Sequence, residues 1–338
     1  MGKLKLTTIP RTREEWLLTR NDGIGGSEVG AVMGVNPYQC ALEVFYKKVG
    51  LLPEEFQEGN FKTFMGQVLE PQIADLWKYW DGSEESISEN YAKKTPIRNC
   101  VEFKYRVQNE DFPYLIGHTD RIICKRMEDV YNPSNGILEI KNINYYAIKQ
   151  WEDGIPPYQL YQVQTYLAIT GLKYAELVML KDGNSFLVHQ IARDETLINE
   201  IIIKIGAFWE TVQIGRHIMA DNSLSEDEKY NLIDQVQPTP DSNPSWETFL
   251  KQYYKSNPDL PVLKGDDDLL VSAFNYNDAS NRIKNIEDEK QYWKNVIIQK
   301  LGSHEIAEFE GNGKITLKQD KRGTRTLRIG LKHFEFAS

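Results

Sequence analysis

Residues Gly136–Asn144 read "GILEIKNIN". Side chains alternate across a strand, so Glu139 and Lys141 share one face while Leu138 and Ile140 share the other. An ion pair on a surface strand has this pattern, and so does a catalytic Glu-x-Lys pair at the edge of a cleft. The choice depends on which other groups the chain can bring to the same face.

With 338 residues, 41% hydrophobic and 26% charged, the chain can build one sizeable core and a second unit. No run of about 18 apolar residues occurs, so no membrane-spanning helix is expected, and the start "MGKLKLTTIPRTREEW" lacks the apolar stretch of a signal peptide. Cys40, Cys100 and Cys124 stand far apart and form no C-x-x-C pair, which argues for a reducing cytoplasm and against a zinc or iron–sulfur site. The net charge of −9 weighs against a purely electrostatic DNA binder. Its distribution is uneven: "SEDEKYNLIDQ" and "KGDDDLL" are acidic, whereas "GKITLKQDKRGTRTLRIGLKHF" is basic and can follow a phosphate backbone. Carboxylates gathered around a metal ion also make a chain acidic without repelling DNA.

The pattern predicts a helix near residues 13–20, the Gly-rich turn "GIGGS", a short helix from about Ser27 and another over Ala41–Val49. Apolar spacing predicts a helix from Phe61 to about Trp80, kinked or restarted at Pro71. "CVEFKYRVQ", "YLIGHTDRIICK" and "ILEIKNI" read as strands, the second as a strand pair or one bent strand. A helix follows, with Pro157 in its first turn and Gly171 at its end. Then come a hairpin turning at "KDGNS" and a long helix over about 195–216. This order describes an α/β core over residues 1–218. Residues 219–265 read as linker and connecting segments, and 266–338 as a long helix with a small β-hairpin extension.

If the strands before and after residues 126–135 pair, Asp120 and Glu139 lie side by side. Two carboxylates so placed ionise together only around a cation. Oxygen donors without His or Cys select a hard cation, Mg²⁺ first, and Lys141 then bears on the attacking water or the scissile phosphate. Glu70, in "GQVLEPQIADLW", is a third candidate carboxylate, with the small Gly66 one turn earlier expected to let its helix approach the sheet; a solvated surface Glu reads the same way. Gln159, Gln162 and Tyr166 form one stripe of their helix, either a wet face or amides for the site. Arg20 and Ser27 flank the Gly-rich turn and are a candidate anion site, although Ser27 also suits a simple N-cap.

In order, "RNDGIGGSEVGAVMGVNPY", "GQVLEP", "GHTD", "LEIK" and "YQVQTYLAITG" resemble the YqaJ-like viral recombinase family, related to lambda exonuclease and part of the PD-(D/E)xK nucleases. The resemblance covers about residues 10–215; Thr119 stands where the superfamily name has proline. It implies a restriction-endonuclease-like fold, a central mixed sheet flanked by helices. It also implies 5′→3′ digestion of one strand of linear duplex DNA in a bacterial host cytoplasm, leaving 3′ overhangs for a phage single-strand annealing protein. Implied ligands of Mg²⁺, for which Mn²⁺ substitutes, are Glu70, Asp120, Glu139 and the Ile140 carbonyl, with Lys141 assisting the water and Gln162 in the site. Arg20 and Ser27 match positions that hold a 5′-terminal phosphate, Gln164 is placed beside them, and the expected assembly is a ring, a trimer. A structure- or site-specific endonuclease, or a catalytically silent DNA-binding recombination protein, fits the same fold.

Overall fold

The computed structural model describes residues 4–8, 19–52, 61–130 and 132–332. The chain divides into two units, Met1–Ser256 and Asn257–Ser338. Most of the helix expected near 13–20 lies outside the described residues.

The first unit begins with β1 (Leu4–Thr8), β2 (Ile24–Gly25), α1 (Gly26–Val32), α2 (Ala41–Val49), α3 (Phe61–Trp77) and α4 (Glu84–Lys93). Short strands β3 (Val101–Glu102), β4 (Tyr105–Asn109), β5 (Leu115–Gly117) and β6 (Arg121–Ile123) lead into β7 (Gly136–Ile143). After α5 (Tyr145–Ile148) come α6 (Pro157–Thr170), β8 (Tyr174–Lys181), β9 (Ser185–Ala192) and α7 (Glu195–Ala220). The larger sheet has the order β3-β6-β7-β8-β9 and the smaller β1-β4-β5-β2.

The stretch "YLIGHTDRIICK" thus resolves into two strands in different sheets, β5 and β6, with His118–Asp120 in the break between them. β6 pairs antiparallel with β7 (Arg121 opposite Leu138) and β7 pairs parallel with β8. A central strand of such a sheet is covered on both faces, which accounts for the apolar run around Glu139. On one side Leu138 and Ile140 pack with Ile73 and Trp77 of α3. On the other, Val163 and Leu167 of α6 join the main core.

Trp77 ties α3 down. Its indole Nε1 donates to Glu176 of β8 at 2.9 Å, Glu176 takes Arg98 at 2.7 and 2.9 Å, and the guanidinium stands 4.7 Å over the indole. α3 runs unbroken through Pro71 and ends at Trp77, short of the expected Trp80. Gly66 does not serve close approach, since a Cβ there would meet nothing within 4 Å. That role falls to α1: a Cβ on Gly26 would come within 2.4 Å of the Tyr166 ring, and one on Gly30 within 2.8 Å of Tyr158, so bare glycines let α1 pack directly on α6.

Residues 219–265, read as linker, carry two helices, α8 (Glu226–Val236) and α9 (Pro244–Tyr253). Ile233, Trp246 and Phe249 belong to the main core. An acidic outer face hid α8, and the Pro-, Ser- and Asn-rich stretch leading into α9 hid that helix; Ser225 and Glu228 form a reciprocal capping box at the start of α8.

The second unit comprises α10 (Asp267–Leu301) and a three-stranded sheet, β10 (Ile306–Phe309), β11 (Gly313–Gln319) and β12 (Arg325–Leu331). Ile315, Leu317 and Leu301 form its small core. Lys314 and Lys318 point away from that core, together with Arg328, which lies opposite Thr316. Arg325 instead donates to the carbonyls of Gly302 and His304.

Candidate active site

A cleft of about 370 Å³ opens where β7 leaves the sheet, between α1, α3 and α6. Asp120, Glu139, Lys141, Glu70 and Gln162 line it together with the Ile140 backbone, and so do Arg20 and Ser27. Seven of the side chains singled out from sequence therefore meet in one place. Gln164 does not: its amide bonds the Ala192 carbonyl and the Asp194 N–H, fixing the turn from β9 into α7. At about 100° per residue, positions 162 and 164 cannot share a helix face.

Glu139 is 2% exposed. Its Oε1 accepts from Lys141 Nζ at 2.8 Å and from Gln162 Nε2 at 2.8 Å. Its Oε2 is buried with no hydrogen-bond partner among the described residues. Burial, followed by the charge of Asp120, pushes the Glu139 carboxyl up to about 7, against the pull of Lys141. Asp120 Oδ2 accepts the Ile140 N–H at 2.8 Å, which turns its carboxylate toward β7. Burial raises Asp120 too, with Lys141 opposing. Lys141 is held above the ordinary lysine value because Glu139 and Asp120 outweigh its burial. It stays an ammonium.

Glu70 is engaged elsewhere. Arg121 Nη1 donates to its Oε1 at 2.7 Å and to the Asp120 carbonyl at 2.7 Å. Burial and then Asp120 raise the Glu70 carboxyl, so it lies within electrostatic reach of the acidic pair. Among the described residues no three His, Cys, Asp or Glu side chains are disposed to hold one ion; Arg121 withholds the third carboxylate. The donor chemistry still fits a hard cation, with two neighbouring carboxyls whose pKa values burial raises and a buried Glu139 oxygen lacking a donor among the described residues.

The opposite wall is cationic. Arg20 Nη2 donates to Ser27 Oγ at 3.2 Å. Behind them lies Glu28, also 2% exposed, whose Oε2 accepts the Gly25 N–H at 2.8 Å and Lys48 at 2.8 Å. Arg20 and Lys47 stand 3.4 and 3.9 Å from its Oε1. Burial alone would raise Glu28, but Lys48, Arg20 and Lys47 together bring it down to about 2. Lys48 moves the other way from what a salt bridge suggests: its own burial exceeds what one shared carboxylate returns, and its pKa falls. Lys48 also donates to the Arg20 carbonyl at 2.7 Å, so the pair fixes both ends of that arginine.

Several groups in the cleft were not read from sequence. Asn142 lines it beside the acidic pair, and Arg121 stands behind that pair on Glu70; Tyr166, read from sequence as part of a polar stripe, lines it too, accepting from Gln162 Nε2 at 3.1 Å while its ring lies under Gly26. His118 lines the cleft between the two walls, and burial, then Arg20 and Arg106, lowers it to about 4, so it is neutral. Arg121 had a signal in its position next to Asp120.

The mixed sheet, its parallel β7–β8 step and the Asp120, Glu139-x-Lys141 arrangement define a restriction-endonuclease-like fold. Residues 15–173 match the YqaJ-like viral recombinase domain. The match covers a little under half of the chain. An uncharacterized protein YqaJ of Bacillus subtilis (strain 168) is 28% identical over 222 residues, which are 65% of this chain and 62% of that protein. Among solved structures, the alkaline exonuclease LHK-Exo of Laribacter hongkongensis aligns over 61% of this chain and 95% of its own, with 20% identity and a TM-score of 0.45. A phage-related exonuclease from Haemophilus somnus 129PT aligns over 59% and 96%, with 14% identity and a TM-score of 0.37. No helix of the described residues is long and apolar enough to cross a membrane.

Proposed function

We propose that this chain is a divalent-metal-dependent deoxyribonuclease, a phage-type exonuclease that digests one strand of linear duplex DNA from its 5′ end and leaves a 3′ overhang for a single-strand annealing protein. The observation that carries the reading is the placement, in one cleft, of an acidic pair with an orphaned Glu139 oxygen opposite an arginine–serine wall. Asp120, Glu139, the Ile140 carbonyl and, once it leaves Arg121, Glu70 are the groups that hold Mg²⁺ or Mn²⁺. Such an ion, when bound, polarises the scissile phosphate and lowers the pKa of the attacking water. Lys141 keeps its charge beside Glu139 and faces the charge that develops on the phosphate. Gln162 fixes both by touching the two at once. Arg20 and the Ser27 hydroxyl receive the terminal 5′-phosphate through charge-assisted hydrogen bonds. A chain of net charge −9 keeps hold of DNA best by enclosing it, which favours a ring of copies, a trimer.

The test is digestion of a linear duplex labelled separately at each 5′ and 3′ end, with and without Mg²⁺, beside a covalently closed circle. Early release of the 5′ label in Mg²⁺ alone is expected. Cutting of the closed circle reassigns the protein to an endonuclease, and no Mg²⁺-dependent cutting of any duplex overturns the reading.

A further inference from the structure

α10 is 35 residues long, and only its last turns are covered within its own unit: Ile297, Ile298 and Leu301 pack against the sheet with Ile315 and Leu317. The stripe that leads into this small core continues toward the N-terminus through Trp293, Ile286, Ile283, Tyr276 and Leu269, all between 53% and 78% exposed. These residues keep a 3-and-4 spacing, with small residues at Ala279 and Ser272 filling the same positions. A repeat of 3.5 drifts off the face of a straight helix but stays on the seam of a left-handed supercoil. Such a repeat held over more than three heptads with charged flanks is the pattern of a coiled coil.

We infer that α10 pairs with the α10 of a second copy of this chain, parallel and in register. The flanking charges choose that occupant. With Leu269, Tyr276 and Ile283 in the first seam position, Arg282 and Glu289 fall on one flank and Glu287 and Lys294 on the other. In a parallel pair Arg282 of one copy faces Glu287 of the second, and Glu289 faces Lys294, so each contact joins opposite charges and occurs twice. Lys290 is the one charged residue in the seam between Leu269 and Ile297, and a lone lysine there fixes register at some cost in stability. The pairing goes beyond the nuclease reading and does not rest on it; beside a ring of three, it joins a copy in one ring to a copy in another.

The experiment uses the full chain. Ser272→Cys puts a thiol in the seam, and Asn285→Cys puts one on the outer face. Mild oxidation is expected to link copies of Ser272→Cys into a dimer, and to link Asn285→Cys no more than the unsubstituted protein with its three natural cysteines. Adding Ile283→Lys and Ile286→Lys to Ser272→Cys lowers the yield at least about tenfold, a loss of at least about 1.4 kcal/mol in association. Arg282→Glu lowers it less, and Arg282→Glu with Glu287→Arg restores it. The inference fails if Ser272→Cys links no better than Asn285→Cys, as an antiparallel pair or a monomer requires, or if the paired lysines leave the yield unchanged.

Discussion

Glu28, behind the Arg20–Ser27 wall of the cleft, and Glu139, in its acidic wall, are equally buried and are pushed in opposite directions, Glu28 down to about 2 and Glu139 up to about 7. The difference lies in the count of cations. Glu28 has Lys48, Arg20 and Lys47 around it, and a backbone N–H as well. Glu139 has one lysine, which it shares with Asp120, and one of its oxygens has no donor. A carboxylate whose charge is balanced inside the protein holds structure together. One left short of positive charge suits an ion arriving from outside, and burial keeps it short until then.

The largest effect that tests this contrast is on cleavage. Asp120→Ala and Glu139→Gln are each expected to lower the rate at least about a thousandfold, as for loss of a principal electrostatic stabiliser, and to abolish the rise in melting temperature that Mg²⁺ gives the unsubstituted protein. A variant that cuts at a near-normal rate breaks the assignment of the acidic wall. Next comes stability. Glu28→Gln leaves Lys48 buried without its counter-charge and should cost on the order of 3 kcal/mol in urea unfolding, whereas Glu139→Gln in metal-free buffer at pH 8 should cost nothing or stabilise. Equal losses at the two sites would erase the distinction.

Smaller is the effect of Arg20→Ala, expected to narrow the preference for a 5′-phosphate over a 5′-hydroxyl end by about tenfold, in line with a hydrogen bond to a charged group. An unchanged preference removes the terminal-phosphate pocket. The remaining effect is on acid stability. Glu28 has a folded pKa below its ordinary 4.5, so its contribution is present above pH 4.5 and lost as the pH falls toward 2. Glu28→Gln should therefore flatten the stability curve in that window; an identical slope would mean that Glu28 is not ionised in the fold.

Asp120, Glu139 and Lys141 were legible because strand alternation and one hairpin place them, and both are short-range facts of the sequence. Arg20 and Ser27 were legible for a similar reason, seven residues apart across a turn. The long-range pairings were not. Nothing local ties Lys48 to Glu28, or Glu176 to Trp77 and Arg98, and these depend on how α2 and β8 dock. Gln164 was drawn in by motif likeness although helix geometry turns it away. The glycines of "GIGGS" suggested a turn, yet what Gly26 answers to is the Tyr166 ring, 140 positions on. Composition also misled over residues 219–265, where an acidic face and a Pro- and Ser-rich stretch concealed two helices anchored by Ile233, Trp246 and Phe249.

Tyr166 touches both walls, its ring against Gly26 and its hydroxyl on Gln162. On the proposed function it acts as a ruler. The distance from the seat of the terminal phosphate to the bond that breaks is then set by the thickness of one aromatic ring in a close-packed contact, which hardly yields. The length of the released product follows from that spacing, so a side chain added at Gly26 would change how many nucleotides leave per cut before it changed how fast they leave.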